Sequence, residues 1–269
     1  MSEQNGESPE KEIKVVVVGA GNVAWTLAPA LDSLRGVSVV QIWSRHIDKG
    51  LELASMTECA TATDSLSDII PDADLYLISV VDDAVADIAA NIKCNPSAVA
   101  AHTSGGVDAS VLKVMTPHYG VFYPLQTFTR GLTVDLRAVP LFVEGSDEYT
   151  LELLDRLAAL LSDKAGRADS RRRSVIHAAA VFACNFSNHF LARADDILGR
   201  EGLSLEVLYP LIRETMDKAT AIPPAKGQTG PARRGDRRCI AHHEELLRPD
   251  ERDLYHTLSE SIISYYKDK

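Results

Sequence analysis

Four β-branched residues, Val15-Val16-Val17-Val18, run without a break into Gly19-Ala20-Gly21-Asn22-Val23-Ala24. An uninterrupted apolar run of this kind reads as a strand buried on both faces, as in a parallel sheet covered by helices. An apolar helix, from about Val23 to Leu34, follows the glycines. Strand, Gly19-x-Gly21-x-x-Ala24 and helix in this order form a dinucleotide-binding fingerprint. Each small residue has a physical task. Gly19 permits the tight turn, Gly21 lets a pyrophosphate approach the backbone, and Ala24 lets helix and strand pack closely. The N–H groups of Asn22 and Val23, at the start of the helix, are then free to meet phosphate.

The next expected strand, Val37 to Trp43, ends in Ser44-Arg45-His46. A site for NAD usually places Asp or Glu about 20 residues past the glycines, on the ribose 2′-hydroxyl. Ser44 and Arg45 stand there instead, and a hydroxyl with a guanidinium suits a 2′-phosphate. NADP is therefore the expected cofactor. A further buried strand, Ala73 to Val80, leads into Ser79-Val80-Val81-Asp82-Asp83, where Asp82 or Asp83 is a plausible helix N-cap. Ser79, Val80 and Asp82 then fall at the carboxyl edge of the sheet, where open α/β sheets bind ligands.

The strand Ser97 to Ala101 delivers His102-Thr103-Ser104-Gly105-Gly106, with hydroxyls and an imidazole on a glycine-rich turn. These residues could hold a polar substrate, and His102 and Ser104 are candidate catalytic groups. The aromatic stretch His118 to Phe128 reads as a strand broken at Pro124 and contains Gln126. Val139 to Val143 is one more strand, and Asp147 to Leu161 an amphipathic helix.

From Ser170 the pattern becomes helical. Ser174 to Leu198 reads as one long helix with a small, apolar face. On it His177, Cys184 and Asn188 fall on one side at 3.6 residues per turn, with Asn185 beside them. Buried amides without partners are costly, so Asn185 and Asn188 point to a polar cleft. Leu205 to Ala221 is a helix kinked or split at Pro210. The turn-rich loop Gln228-Thr229-Gly230-Pro231 suits a ligand. Two more helices, about Asp236 to Leu247 and Asp250 to Tyr266, end the chain.

The chain of 269 residues therefore divides into a polar tail over 1–12, expected to be disordered, a Rossmann-type domain over 13–169 and an all-α domain over 170–269. The fold class is α/β: a mostly parallel sheet with helices on both faces, followed by an all-α domain for substrate and dimerisation. A net charge of −10 argues against a general nucleic-acid or anionic-membrane partner. No apolar run is read as long enough to span a membrane. The four cysteines, Cys59, Cys94, Cys184 and Cys239, form no C-x-x-C pair and read as cytoplasmic thiols. His242-His243-Glu244-Glu245 lacks metal-ligand spacing, so no metal is expected. The arginine runs Arg171 to Arg173 and Arg233-Arg234 with Arg237-Arg238 are solvated helix starts or anion contacts.

Several segments together resemble one bacterial family of unknown function: Gly19 to Ala24, His102 to Gly105, Tyr119 to Phe128, Val181 to His189 and Gln228 to Ala232. Its members pair a Rossmann-like domain with a helical C-terminal domain and are commonly described as candidate NADP oxidoreductases. More distantly the chain is similar to pyrroline-carboxylate reductase, to the deazaflavin-dependent NADP reductases and to the β-hydroxyacid dehydrogenases. The resemblance implies a nicotinamide dinucleotide in the first domain and a dimer through the second. One departure is plain. The β-hydroxyacid dehydrogenases carry a catalytic Lys four residues before an Asn on the long helix, and if that Asn is Asn185, the Lys position holds Val181.

The function these features imply is hydride transfer between NADP(H) and a small polar C=N or C=O compound in a cleft between the domains. His102, Thr103, Ser104, Gly105 and Gln126 would meet the substrate from one side. Asn185, Asn188, Gln228 and Thr229 would meet it from the other, with Asn185 a third catalytic candidate. The alternatives are a non-catalytic NADP-binding sensor and a deazaflavin-coupled reductase. A cytoplasmic homodimer is expected.

Overall fold

The computed structural model describes residues 12–267, so nearly all of the expected N-terminal tail lies outside the described residues. Contacts divide the chain into two compact units, the first ending at Phe182 and the second beginning at Ala183. That division falls inside the long helix, beyond the 169/170 boundary read from composition.

The first unit is built on one eight-stranded sheet in the order β3-β2-β1-β4-β5-β6-β7-β8. The strands are β1 Ile13–Val18, β2 Val37–Trp43, β3 Thr61–Thr63, β4 Leu75–Ile78, β5 Val99–His102, β6 Tyr119–Pro124, β7 Leu141–Gly145 and β8 Ala165–Arg167. All neighbours pair in parallel except β6 and β7. The mostly parallel α/β sheet expected from the sequence is the one observed. The helices beside it are α1 Asn22–Asp32, α2 Ile47–Ala54, α3 Val85–Asn91 and α4 Glu148–Leu161.

The four valines show why β1 lies at the centre. Val15 and Val17 enter one core with Leu27, Leu31 and Leu157, while Val16 and Val18 enter the opposite core with Tyr76, Ile78 and Leu112. Burial on both faces is what a continuous apolar run requires. Order reverses at β1, which pairs with β2 on one side and β4 on the other. That switch point opens a crevice at the strands' carboxyl ends.

After the Gly105-Gly106 turn comes a 3₁₀ segment, Ala109–Val114, capped by the Asp108 carboxylate. Two local expectations change. Neither Asp82 nor Asp83 caps α3: both lie in a 3₁₀ turn, Asp82–Ala84, that precedes it. The strand at Pro124 ends there and does not resume.

The long helix runs from Ser170 to Arg200. It consists of α5 Ser170–Ala180, a π-helical turn Val181–Phe186, and α6 Ser187–Arg200. Contrary to the sequence reading, this helix is long and apolar enough to cross a membrane by length and composition alone. In the second unit follow α7 Tyr209–Ala221, α8 Pro224–Gly227, α9 Pro231–Arg234, α10 Arg237–Leu246 and α11 Pro249–Tyr266. Of the two outcomes expected at Pro210 the split is observed: a 3₁₀ turn, Leu205–Leu208, precedes α7, and Pro210 sits at the start of α7, where its missing N–H costs nothing. Arg200 grips Glu251 with two bonds of 2.7 and 2.8 Å, tying α6 to α11.

Candidate functional site

The turns that leave β1, β2, β4 and β5 converge on one cavity of about 570 Å³ in the first unit. Its floor is Gly19 to Val23. Gly19 has φ +122°, and a Cβ there would stand 2.2 Å from the Ser79 carbonyl oxygen. The protein itself therefore demands glycine at that point. Gly21 differs: its φ is −82°, and a Cβ would find no neighbour nearer than Ser79 O at 4.0 Å. No contact within the described residues requires glycine there, and Gly21 leaves the cavity floor bare. Helix α1 begins immediately after it with no side-chain cap and no acidic residue in its first turn. Unpaired N–H groups and a positive dipole end beside open space fit a diphosphate. Ala24 is fully buried and outside the cavity lining, packing helix to strand as its size suggested.

At the end of β2, Ser44 is buried and its Oγ accepts the His46 N–H at 3.2 Å, which sets the turn. Arg45, His46 and Lys49 are exposed along the cavity wall. Lys49 adds a basic group to the Ser44 and Arg45 expected at this end. Lys49 lies in the first turn of α2, next to its N-cap His46, so it joins the same basic end. Ser79, Val80 and Asp82 line the cavity from β4.

The opposite part is polar and aromatic. Thr103 Oγ1 donates to Ser79 Oγ at 3.3 Å. Ser104 Oγ accepts the N–H groups of Gly106 and Val107, both at 3.1 Å, leaving its own proton free to donate. Thr103, Ser104, Gly105 and Gln126 all line the cavity, together with Tyr123 and His177. Gln126 is exposed and holds the Thr127 N–H at 2.8 Å.

His102 does not line the cavity. It is fully buried on β5, and its Nδ1 accepts the Ser104 N–H at 3.2 Å. Its Nε2 is buried without a hydrogen-bond partner. Burial, then the Arg173 charge, push its pKa down to about 4. It stands as a neutral anchor for the Ser104 turn.

Arg173 was read as part of a solvated run or an anion contact, yet it is fully buried. It pairs with Glu144, donates to the Val107 carbonyl, and donates to Ser170 Oγ at 3.2 Å. It pins the start of α5 to β7. In the second unit, Arg237 pairs with Glu260 and Arg233 lies 4.6 Å over the Tyr266 ring.

Asn185, Asn188, Gln228 and Thr229 belong to the second unit and are exposed. Asn185 sits in the π turn. That turn widens the helix between His177 and Asn188, so the single face inferred from 3.6-residue spacing does not run through it. Among the described residues no group of three or more His, Cys, Asp and Glu could hold a metal.

Comparison with known proteins adds to this geometry. Residues 139–262 match a domain of unknown function, DUF2520. The solved structure of a candidate NADP oxidoreductase from Bacteroides fragilis is 38% identical, with a TM-score of 0.89, covering 94% of this chain and 98% of that one. A reductive aminase from Aspergillus terreus, solved with NADPH and ethyl levulinate, is 14% identical with a TM-score of 0.68, covering 95% of each chain. At that identity the likeness is one of fold. A glycerol-3-phosphate dehydrogenase [NAD(P)+] from Leuconostoc citreum is 27% identical over 185 residues, 58% of this chain and 52% of that protein. The chain thus spans about half the length of that curated relative.

Proposed function

The chain belongs to the family of the Bacteroides fragilis candidate NADP oxidoreductase, and on that premise we propose that it is an NADP-dependent oxidoreductase acting on a small polar C=N or C=O compound. The observation that carries this reading is the bare Gly21 at the uncapped start of α1, in a cavity whose one end is basic and whose other end is polar.

The reduced nicotinamide supplies a hydride when bound; the chain supplies binding and orientation. The first-turn N–H groups of α1 hold the diphosphate. Arg45, with Lys49 beside it, meets the 2′-phosphate, and Ser44 fixes that turn. Ser79, Val80 and Asp82 border the middle of the cofactor. Ser104, with its free hydroxyl proton, and Thr103 hold the substrate's polar group. That the A. terreus reductive aminase of the same fold is solved with NADPH and a keto ester supports the cofactor and the substrate class.

The protein acts as a soluble, cytoplasmic homodimer joined through its helical unit. Leu203, Val207, Leu211 and Leu246 are all at least half exposed there, more apolar surface than a small unit normally leaves open. The net charge of −10 supports the absence of a nucleic-acid partner. Calorimetry with NADPH, followed by cofactor oxidation on a panel of small ketones and cyclic imines, tests the reading. Binding with turnover supports it. Binding without turnover on every compound turns the protein into a cofactor sensor.

A further inference from the structure

Two side chains far apart in sequence meet on the cavity wall. The Tyr123 phenol oxygen on β6 lies 3.0 Å from Nδ1 of His177 on α5. Their rings meet edge to face, with centroids 6.0 Å apart. Both residues line the cavity floored by Gly19 to Val23. Room for the imidazole comes from Gly105, where a Cβ would stand 2.5 Å from His177 Nδ1 and 2.6 Å from its Cγ. Gly105 is not among the glycines with positive φ, so its missing side chain serves to seat His177.

The charged groups acting on the phenol are Arg173, itself paired with Glu144, and Asp82. They work in opposite senses, and burial outweighs both, pushing the Tyr123 pKa up. The phenol therefore keeps its proton through neutral pH. His102, nearby on β5, stays neutral there. With Nδ1 protonated, His177 donates to Tyr123 Oη, and the phenol O–H is left to donate to a third group. Such a group would stand in the cavity that both residues line.

Resting on the NADP-dependent reading above, we propose that Tyr123 is the proton donor of a carbonyl-reducing site and that His177 is the positioning residue that restores its proton. A hydride with its electron pair forms the new C–H bond at the carbonyl carbon. The C=O π bond breaks onto oxygen, which takes the Tyr123 proton. The phenolate recovers a proton from Nδ1 of the His177 imidazolium, and the neutral imidazole so formed takes up one proton from solvent. The balance is reduced cofactor, one proton and a carbonyl giving oxidised cofactor and an alcohol. The substrate class is accordingly a neutral C=O compound. A preformed iminium ion already carries its proton and, once it has accepted hydride, needs no donor.

The test compares wild type, Tyr123→Phe and His177→Gln for NADPH affinity, for turnover of ethyl levulinate, cyclohexanone and a preformed cyclic iminium, and for histidine ring signals by NMR. General acid catalysis contributes about a hundredfold or more. The expected result is a kcat for ketones at least about a hundredfold lower in Tyr123→Phe, with KM and NADPH affinity unchanged. In wild type, kcat should fall as pH rises along a limb that is lost in His177→Gln, since an amide can hold the phenol but cannot pass a proton. The His177 ring signals should move once Tyr123 is Phe, because the bond at Nδ1 is lost. Ketone turnover retained within threefold in Tyr123→Phe, or an unmoved His177 signal, overturns the proposal and leaves the oxidoreductase reading intact. Turnover of the iminium alone does the same. NADPH binding with no turnover overturns both.

Discussion

A side chain on Gly19 would occupy the space of the Ser79 carbonyl oxygen, 2.2 Å away. The turn after β1 and the end of β4 thus approach closely at this point. Two residues on, Gly21 has no such constraint. The two glycines of the fingerprint therefore do different work. One is required by the turn itself, and the other is not.

Gly19→Ala should destabilise the fold, and Gly21→Ala should not. Holding alanine at φ +122° costs on the order of 1–3 kcal/mol before the overlap with Ser79 is counted. A Cβ on Gly21 meets only ordinary contacts, so its stability should stay within about 0.5 kcal/mol of wild type. Its NADPH affinity should nevertheless fall. Thermal unfolding and cofactor titration of both variants check this; a Gly21→Ala protein that binds NADPH normally removes the diphosphate from that turn.

His102 makes stability depend on pH. Its pKa in the folded state, about 4, lies below the usual 6.5. Below about pH 6.5 the unfolded chain takes up a proton that the folded one refuses, so stability falls as pH falls, until about pH 4 where both forms are protonated. That difference corresponds to roughly 3 kcal/mol. His102→Asn keeps an acceptor for the Ser104 N–H and has no titrating ring. Denaturant unfolding of this variant between pH 7 and pH 4 should show a correspondingly shallower loss. An unchanged slope would mean His102 is solvated and ordinary.

The helical unit should carry the assembly. Light scattering at tens of micromolar protein is expected to give a homodimer, the commonest closed symmetry. Leu211→Glu, at a position 63% exposed, should shift the mass towards monomer without loss of the first unit's cofactor affinity. A wild-type monomer would contradict the assembly.

The first unit was legible because its signals are local. The valine run, the glycine spacing and the strand ends at Ser44, Ser79 and Thr103 follow one another along the chain, and the parallel sheet places them together. What was missed depends on distance in sequence or on irregular geometry. Tyr123 and His177 are 54 positions apart, and no periodicity links a strand residue to a helix residue. Arg173 looked like a surface charge until Glu144, 29 positions earlier, came to meet it. His102 was singled out for its chemistry, yet strand alternation alone decides that it points into the core while Thr103 turns to the cavity. The π turn at Val181–Phe186 broke a helical face that 3.6-residue spacing had drawn through Cys184 and Asn188.

The central claim is that this cavity takes NADP(H), and titrating wild type and Arg45→Ala with NADPH and NADH by calorimetry tests it most directly. A hydrogen bond to a charged group contributes about 1.5–3 kcal/mol. Wild type should therefore prefer NADPH over NADH, and Arg45→Ala should lose roughly tenfold to a hundredfold in NADPH affinity while NADH is almost unchanged. Equal losses for the two cofactors, or a wild type that binds neither at millimolar concentration, would contradict the account.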